Sequence, residues 1–308
     1  MKDGKQPDTP YSAQKAKYGI FCFPVANANT GRGIIMTGKR KIIDAHAHIF
    51  PGKIAQRASE SIREFYHLNM GFAGYPHTLV ERGSKIGVYK YLVCSTATKP
   101  EQVFSINNFI AEKCKKYPEF FGFGSLHPRM EKRQFVAEIE RIKQLGLYGI
   151  KLHSDFQQFN IDDPEMVPVY RLAAKAGLPI LFHMGDSRYD YSAPHRLARA
   201  ATEVPELICI AAHYGGYERW DEAYQYLKLP NVYFDTSSSL FKLSKSDALA
   251  LMEHMGIERF FFGTDFPMWE HKTELERFLS LGLCEEDNEK VLHGNFERVF
   301  GKMCIRDR

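Results

Sequence analysis

The chain has 308 residues, 44% of them hydrophobic and 25% charged, with a formal net charge of +4. This is ordinary soluble globular composition, long enough for two average domains or one large α/β barrel. The small, interspersed charge excludes a basic stripe for nucleic acid, and no apolar run approaches the roughly 18–20 residues of a membrane span. Six cysteines, Cys22, Cys94, Cys114, Cys209, Cys284 and Cys304, form no Cys-x-x-Cys, and several sit in apolar runs. They read as small core residues in a reducing compartment. Without a convincing signal peptide, a cytoplasmic location is expected.

Residues 1–39 show no sustained period and are rich in Lys, Gly, Asn, Thr and Ser. They read as a disordered extension, with Met36 a candidate start. From residue 40 onward, short apolar runs alternate with amphipathic stretches. Strands are expected at 41–45, 89–94, 120–126, 148–152, 179–182, 207–212, 232–235 and 260–263. Helices are expected at 100–117, 133–145, 164–176, 194–204, 221–227, 246–255 and 272–281, with a terminal helix at 295–301. Gly146 and Gly177 stand where helix-ending glycines belong. Strands alternating with helices imply parallel pairing through right-handed crossovers. Eight such units over 40–301 have the size of a (β/α)8 TIM barrel. An open doubly wound sheet is the runner-up, and no Gly-x-Gly-x-x-Gly follows a strand to support it. Residues 302–308 read as an unstructured, non-native tail.

The carboxyl ends of barrel strands meet around one cleft, and polar residues collect there. Asp44-Ala-His46-Ala-His48 ends the first strand. Histidines at i and i+2 point to one side of a strand and can grip one ion together. The third strand ends near His127, the fourth at Lys151 and His153, the fifth at His183, the sixth at His213 and the eighth at Asp265. Three or more imidazoles with one carboxylate suit zinc or a similar borderline ion. His46, His48, His183 and Asp265 are therefore the expected metal ligands. Asp44 is expected to orient a loop or to support a ligand from behind. His195, His254, His271 and His293 fall in helical patterns and read as surface or packing residues. Phe50, Phe156, Gln157, Arg188, Tyr189, Met268 and Trp269 follow strand ends and are candidates for the substrate wall. His153, Arg188, Trp269 and Phe50 are singled out as substrate contacts.

The motifs Asp44-Ala-His46-Ala-His48, Leu-Phe-His183, Ala-Ala-His213-Tyr-Gly-Gly, Gly-Thr-Asp265-Phe-Pro and Gly294-Asn295-Phe-Glu-Arg298 occur in this order. Over about 41–301 the chain resembles the amidohydrolase superfamily, in the amidohydrolase-related (amidohydrolase 2) branch that also contains non-oxidative decarboxylases. The resemblance implies that His46, His48 and His183 ligate a divalent metal, usually zinc. It implies that Asp265 ligates it or handles the proton of its water, and that His213 polarises the substrate. In other branches a fourth-strand lysine is carbamylated and bridges two metals; Lys151 occupies that strand, but one ion is favoured here.

Lys151, His213 and Asp265 are thus the expected catalytic residues. The leading expectation is hydrolysis: a metal ion lowers the pKa of its water to about 7, and hydroxide attacks an amide, lactone or ester carbonyl. Asp265 would take the proton and pass it to the leaving group, while His213 stabilises the oxyanion. The alternative is a metal-dependent decarboxylase of a small carboxylate, aromatic acids included, held by Lys151 or Arg188. A scaffold protein with a structural zinc is disfavoured, because such sites are closed by four ligands. The partner expected is a small-molecule substrate, with neither nucleic acid nor membrane, and a homodimer is the candidate assembly.

Overall fold

The computed structural model describes residues 40–305, with side chains as far as residue 301. The extension expected at 1–39 lies outside the described residues. Eight strands follow in chain order: β1 (Ile42–His48), β2 (Val88–Cys94), β3 (Phe120–Ser125), β4 (Gly149–Leu152), β5 (Ile180–Phe182), β6 (Cys209–Ala211), β7 (Val232–Asp235) and β8 (Phe260–Phe261). Each pairs in parallel with the next. The sheet curls until β8 meets β1. Ala45 N donates to Phe262 O at 2.8 Å, and Asp265 N donates to His46 O at 2.8 Å. His48 N donates to Phe266 O at 2.6 Å. The result is the expected (β/α)8 barrel.

The strands are buried on both faces, which is why their sequences read as continuous apolar runs rather than alternations. Ile43, Ala45, Leu92, Cys94, Phe121, Phe123, Leu181, Ile210 and Phe261 fill the interior. Small residues make room for the large ones. The ring of Phe123 lies against Gly149, where an added Cβ would stand 2.4 Å from Cζ.

Between β1 and β2 run α1 (Ala55–Tyr66) and α2 (Pro76–Lys85), which sequence periodicity did not single out. Helix α1 carries Ala55, Ala58, Ile62, Phe65 and Tyr66 at helical spacing, but its N-cap, Ile54, makes no side-chain hydrogen bond and its first turn has no acidic residue, so the usual start signal is missing. The outer layer continues with α3 (Val103–Lys116), α4 (Lys132–Gln144), the single turn α5 (Ser154–Gln157), α6 (Val167–Ala176), α7 (Pro194–Glu203), α8 (Trp220–Tyr226), α9 (Lys245–Met255) and α10 (His271–Leu279). Then come α11 (Glu285–Glu289), a π-helical turn (Lys290–Gly294) and α12 (Asn295–Ile305). Helix α12 runs past residue 301, where regular structure was expected to end. Its Phe296 and Phe300 pack on Phe121 and Phe261 at ring separations of 5.3–5.7 Å, plugging the barrel beneath its core. No helix among the described residues is long and apolar enough to cross a membrane.

Asp44 secures the seam. Its Oδ1 accepts from Thr264 N at 2.9 Å and from His46 N at 3.2 Å. Its Oδ2 accepts from Thr264 Oγ1 at 2.6 Å and faces His271 Nε2 at 3.1 Å. All four residues are buried. Asp44→Ala leaves several buried donors without an acceptor, at about 1–3 kcal/mol for such a group. A loss of unfolding free energy of that size, read from urea midpoints, is the expected outcome.

Candidate metal centre and active site

The strand ends deliver their side chains to one buried cluster. His46 Nε2 and His48 Nε2 lie 3.2 Å apart, and Asp265 Oδ1 stands 3.2 Å from the second and 3.5 Å from the first. Donors bonded at about 2.0–2.2 Å to one tetrahedral ion are separated by about 3.3 Å. This triangle has the spacing of a coordination shell, and its imidazole and carboxylate chemistry fits a divalent cation. His183 forms the adjoining pair with His213, Nδ1 to Nε2 at 3.0 Å. The His213 ring stacks against that of His46 at 5.3 Å between centroids. Lys151 Nζ reaches His46 Nε2 at 3.2 Å and is fully buried.

Outer partners aim these rings. His46 Nδ1 lies 2.9 Å from Asp235 Oδ2, at the end of β7. Asp235 Oδ1 accepts from His213 N at 3.1 Å and from Ser237 N at 3.0 Å. His213 Nδ1 meets Ser237 Oγ at 3.0 Å. Asp265 Oδ2 accepts from Ser238 Oγ at 2.6 Å, and Ser238 Oγ accepts from Trp269 Nε1 at 2.8 Å. The indole of Trp220 donates to His213 O at 3.0 Å. His213, Ser238 and Asp265 adopt φ of 63°, 46° and 57°. Non-glycine residues in that region carry strain that only a well-determined surrounding holds, and such strain clusters at functional sites.

Over the cluster lies Tyr66, the last residue of α1. Its hydroxyl contacts His153 Nε2 at 2.9 Å and His183 Nε2 at 3.2 Å. His153 stacks between His183 and Phe156, at 3.9 and 3.7 Å between centroids. Asp155 Oδ2 approaches His183 Nε2 at 3.6 Å and accepts from Ser192 Oγ at 2.7 Å.

Burial sets the charge states. Desolvation, with Lys151 beside it, holds His46 well below the usual imidazole range, and desolvation with neighbouring imidazoles does the same to His183. A neutral imidazole has the lone pair that a metal requires. Burial also lowers Lys151. For Asp265 burial opposes ionisation, but His46, His48 and His213 outweigh it and hold the carboxyl below its ordinary range. Asp155 has no comparable cationic shell, so burial lifts it to about 7 even against the Ser192 hydrogen bond.

Several expected contacts lie elsewhere. Phe50 packs its ring on Gly74. His127 Nδ1 accepts from Arg129 N at 3.1 Å. Arg188 stands at the rim, held by Asp186 at 2.7 and 3.0 Å, and donates to Phe65 O at 2.6 Å, which ties down the end of α1. Trp269 acts on Asp265 through Ser238. His195 and His293 pair with Glu222 and Glu297 near the surface, His254 stacks on Tyr224, and His271 is buried against Asp44. Asp235 was overlooked in the sequence although it ends the expected strand 232–235. No sequence signal pointed to Tyr66.

Asp235→Asn keeps the shape of the side chain but replaces a carboxylate with an amide behind His46. Loss of such a partner weakens metal binding by about 10–100-fold. Chelator competition on the folded variant is expected to show a decrease in that range.

The amidohydrolase family profile matches residues 43–302. A 2-amino-3-carboxymuconate-6-semialdehyde decarboxylase of Dictyostelium discoideum is 34% identical over 80 residues, which is 25% of this chain and 22% of that protein. The match thus spans about a fifth of that relative's length. A 5-carboxyvanillate decarboxylase from Sphingomonas paucimobilis superposes with a TM-score of 0.65 at 16% identity, covering 85% of this chain and 99% of that one. A dihydroxybenzoic acid decarboxylase from Polaromonas sp. JS666, with bound manganese and the inhibitor 2-nitroresorcinol, gives 0.66 at 16%, covering 85% and 97%. The last two establish a shared fold. The hydrolytic expectation is corrected by these comparisons, since these three relatives are decarboxylases. The motifs that prompted it specify a metal-binding rim and not the bond that breaks beside it, so they are common to both chemistries. The chain is an enzyme of the amidohydrolase superfamily and, with the profile covering most of its length, belongs to the amidohydrolase family.

Proposed function

We propose that the protein is a metal-dependent, non-oxidative decarboxylase of a small, planar carboxylate. The observation that carries this reading is the enclosure of the His46, His48 and Asp265 triangle, with a buried lysine on one side and an aromatic wall of Tyr66, Phe156 and Tyr217 nearby. The decarboxylase relatives support it. Aromatic side chains beside a buried polar cluster suit a flat ring, and burial favours a reaction that discharges a carboxylate as neutral carbon dioxide.

His46, His48, His183 and Asp265 would hold one divalent ion, and the ion would bind and polarise the oxygen atoms of the substrate. Zinc suits the imidazole-rich set, and manganese is the alternative given its presence in the Polaromonas protein. Lys151 Nζ would pair with the substrate carboxylate before loss. His213 Nε2 would meet a substrate oxygen, with Nδ1 fixed on Ser237. Asp265, its Oδ2 held by Ser238, would take up a proton from solvent and pass it to the carbon that bears the carboxylate. As the carbon–carbon bond breaks, its electron pair returns to the unsaturated system, a C–H bond replaces the carboxylate, and carbon dioxide departs.

The test uses purified protein with its metal content measured, and carboxyl-labelled aromatic and unsaturated acids as substrates in deuterated water. The expected outcome is labelled carbon dioxide, deuterium at the vacated carbon, and about one equivalent of zinc or manganese per chain. Asp265→Asn should lower the rate by about 10²–10⁴-fold with the fold intact by circular dichroism. Turnover that leaves the labelled carboxyl in the product would overturn the proposal.

A further inference from the structure

The second nitrogens of His46 and His213 meet oxygen atoms, on Asp235 and Ser237. His48 is held differently. Its Nδ1 faces the sulfur of Cys94 at 3.6 Å, from the end of β2. The two residues are register partners across the β1–β2 pair, and Ile49 N donates to Cys94 O at 3.1 Å, so the backbone fixes their approach. Cys94 is fully buried within the barrel interior.

The thiol has one proton, and the structure gives it an acceptor. Cys94 Sγ donates to Ala47 O at 3.6 Å. With that hydrogen directed to Ala47 O, the sulfur's lone pairs are left for His48, and Nδ1 is the nitrogen placed to donate to them. The other nitrogen, Nε2, is then the one with the free lone pair, and it is the atom that faces His46 Nε2 and Asp265 Oδ1. A sulfur is a weak acceptor, but this one needs only to select between two tautomers of a ring whose position the strand already sets.

We propose that Cys94 is a positioning residue of the metal centre, which holds His48 in the tautomer that offers Nε2 to the ion. The inference rests on the metal-binding reading above. Most ligating histidines donate from their second nitrogen to a carboxylate, a carbonyl or water; here a thiol in the apolar lining of the barrel is the acceptor.

The experiment measures dissociation constants for zinc and manganese by chelator competition on the full chain and on Cys94→Ser, Cys94→Ala and Cys94→Val. Serine retains an acceptor, alanine removes it, and valine removes it while filling the space. Alanine and valine are expected to bind about 10–100-fold more weakly, with serine recovering most of the loss. Melting temperatures of the metal-free proteins separate this from a packing effect, because a packing role alone would order the variants by fit and leave metal affinity unmoved. Valine binding as tightly as the parent, or serine as weakly as alanine, would overturn the inference while leaving the metal centre standing. A parent chain that binds neither ion would overturn both.

Discussion

The backbone hydrogen bond from Asp265 to His46 O joins the last strand to the first, and the functional geometry hangs on it. Regular pairing in β8 ends at Phe261, and the chain beyond it returns to β1 through isolated contacts rather than a long ladder. Asp44 anchors that return from within β1. The left-handed turn at Asp265 then carries its carboxylate back over the two β1 histidines. Open that seam and the carboxylate leaves the imidazoles, whatever the other seven strands do.

Gathering so many polar groups in a dry interior is costly, since a buried group without a partner forfeits its hydration. The barrel meets the cost by giving the central rings second contacts from β2, β7 and the loops beyond. Asp235 serves His46, the backbone of His213 and the backbone of Ser237 at once. One carboxylate thereby fixes the relative placement of two strand ends. Arg188 works at longer range: its guanidinium, locked on Asp186, holds the end of α1 and so keeps Tyr66 above the rings.

The barrel was legible because parallel strands buried on both faces are written as apolar runs at regular spacing, and each rim histidine follows such a run. The expected strand 232–235 coincides with β7, whereas 207–212 shrinks to Cys209–Ala211 because pairing with both neighbours holds only over three residues. The metal-ligand candidates could be read from their positions, but side-chain reach could not. Arg188 looked free to bind an anion until Asp186, two residues earlier, was seen to claim it. Tyr66 arrives on a helix with no capping signal at its start, and its place over His183 comes from tertiary contacts. Reaction type was illegible for a different reason: hydrolysis and decarboxylation can draw on the same rim.

The chain has two tryptophans, and both are tethered to this rim. The Trp220 indole donates to the carbonyl of His213, and the Trp269 indole reaches Asp265 through one serine hydroxyl. Indole emission depends on the hydrogen bonding and polarity around the ring. The protein's tryptophan fluorescence therefore originates beside His213 and Asp265. Any change in hydrogen bonding at these two residues would reach an indole directly, with no background from indoles elsewhere in the chain.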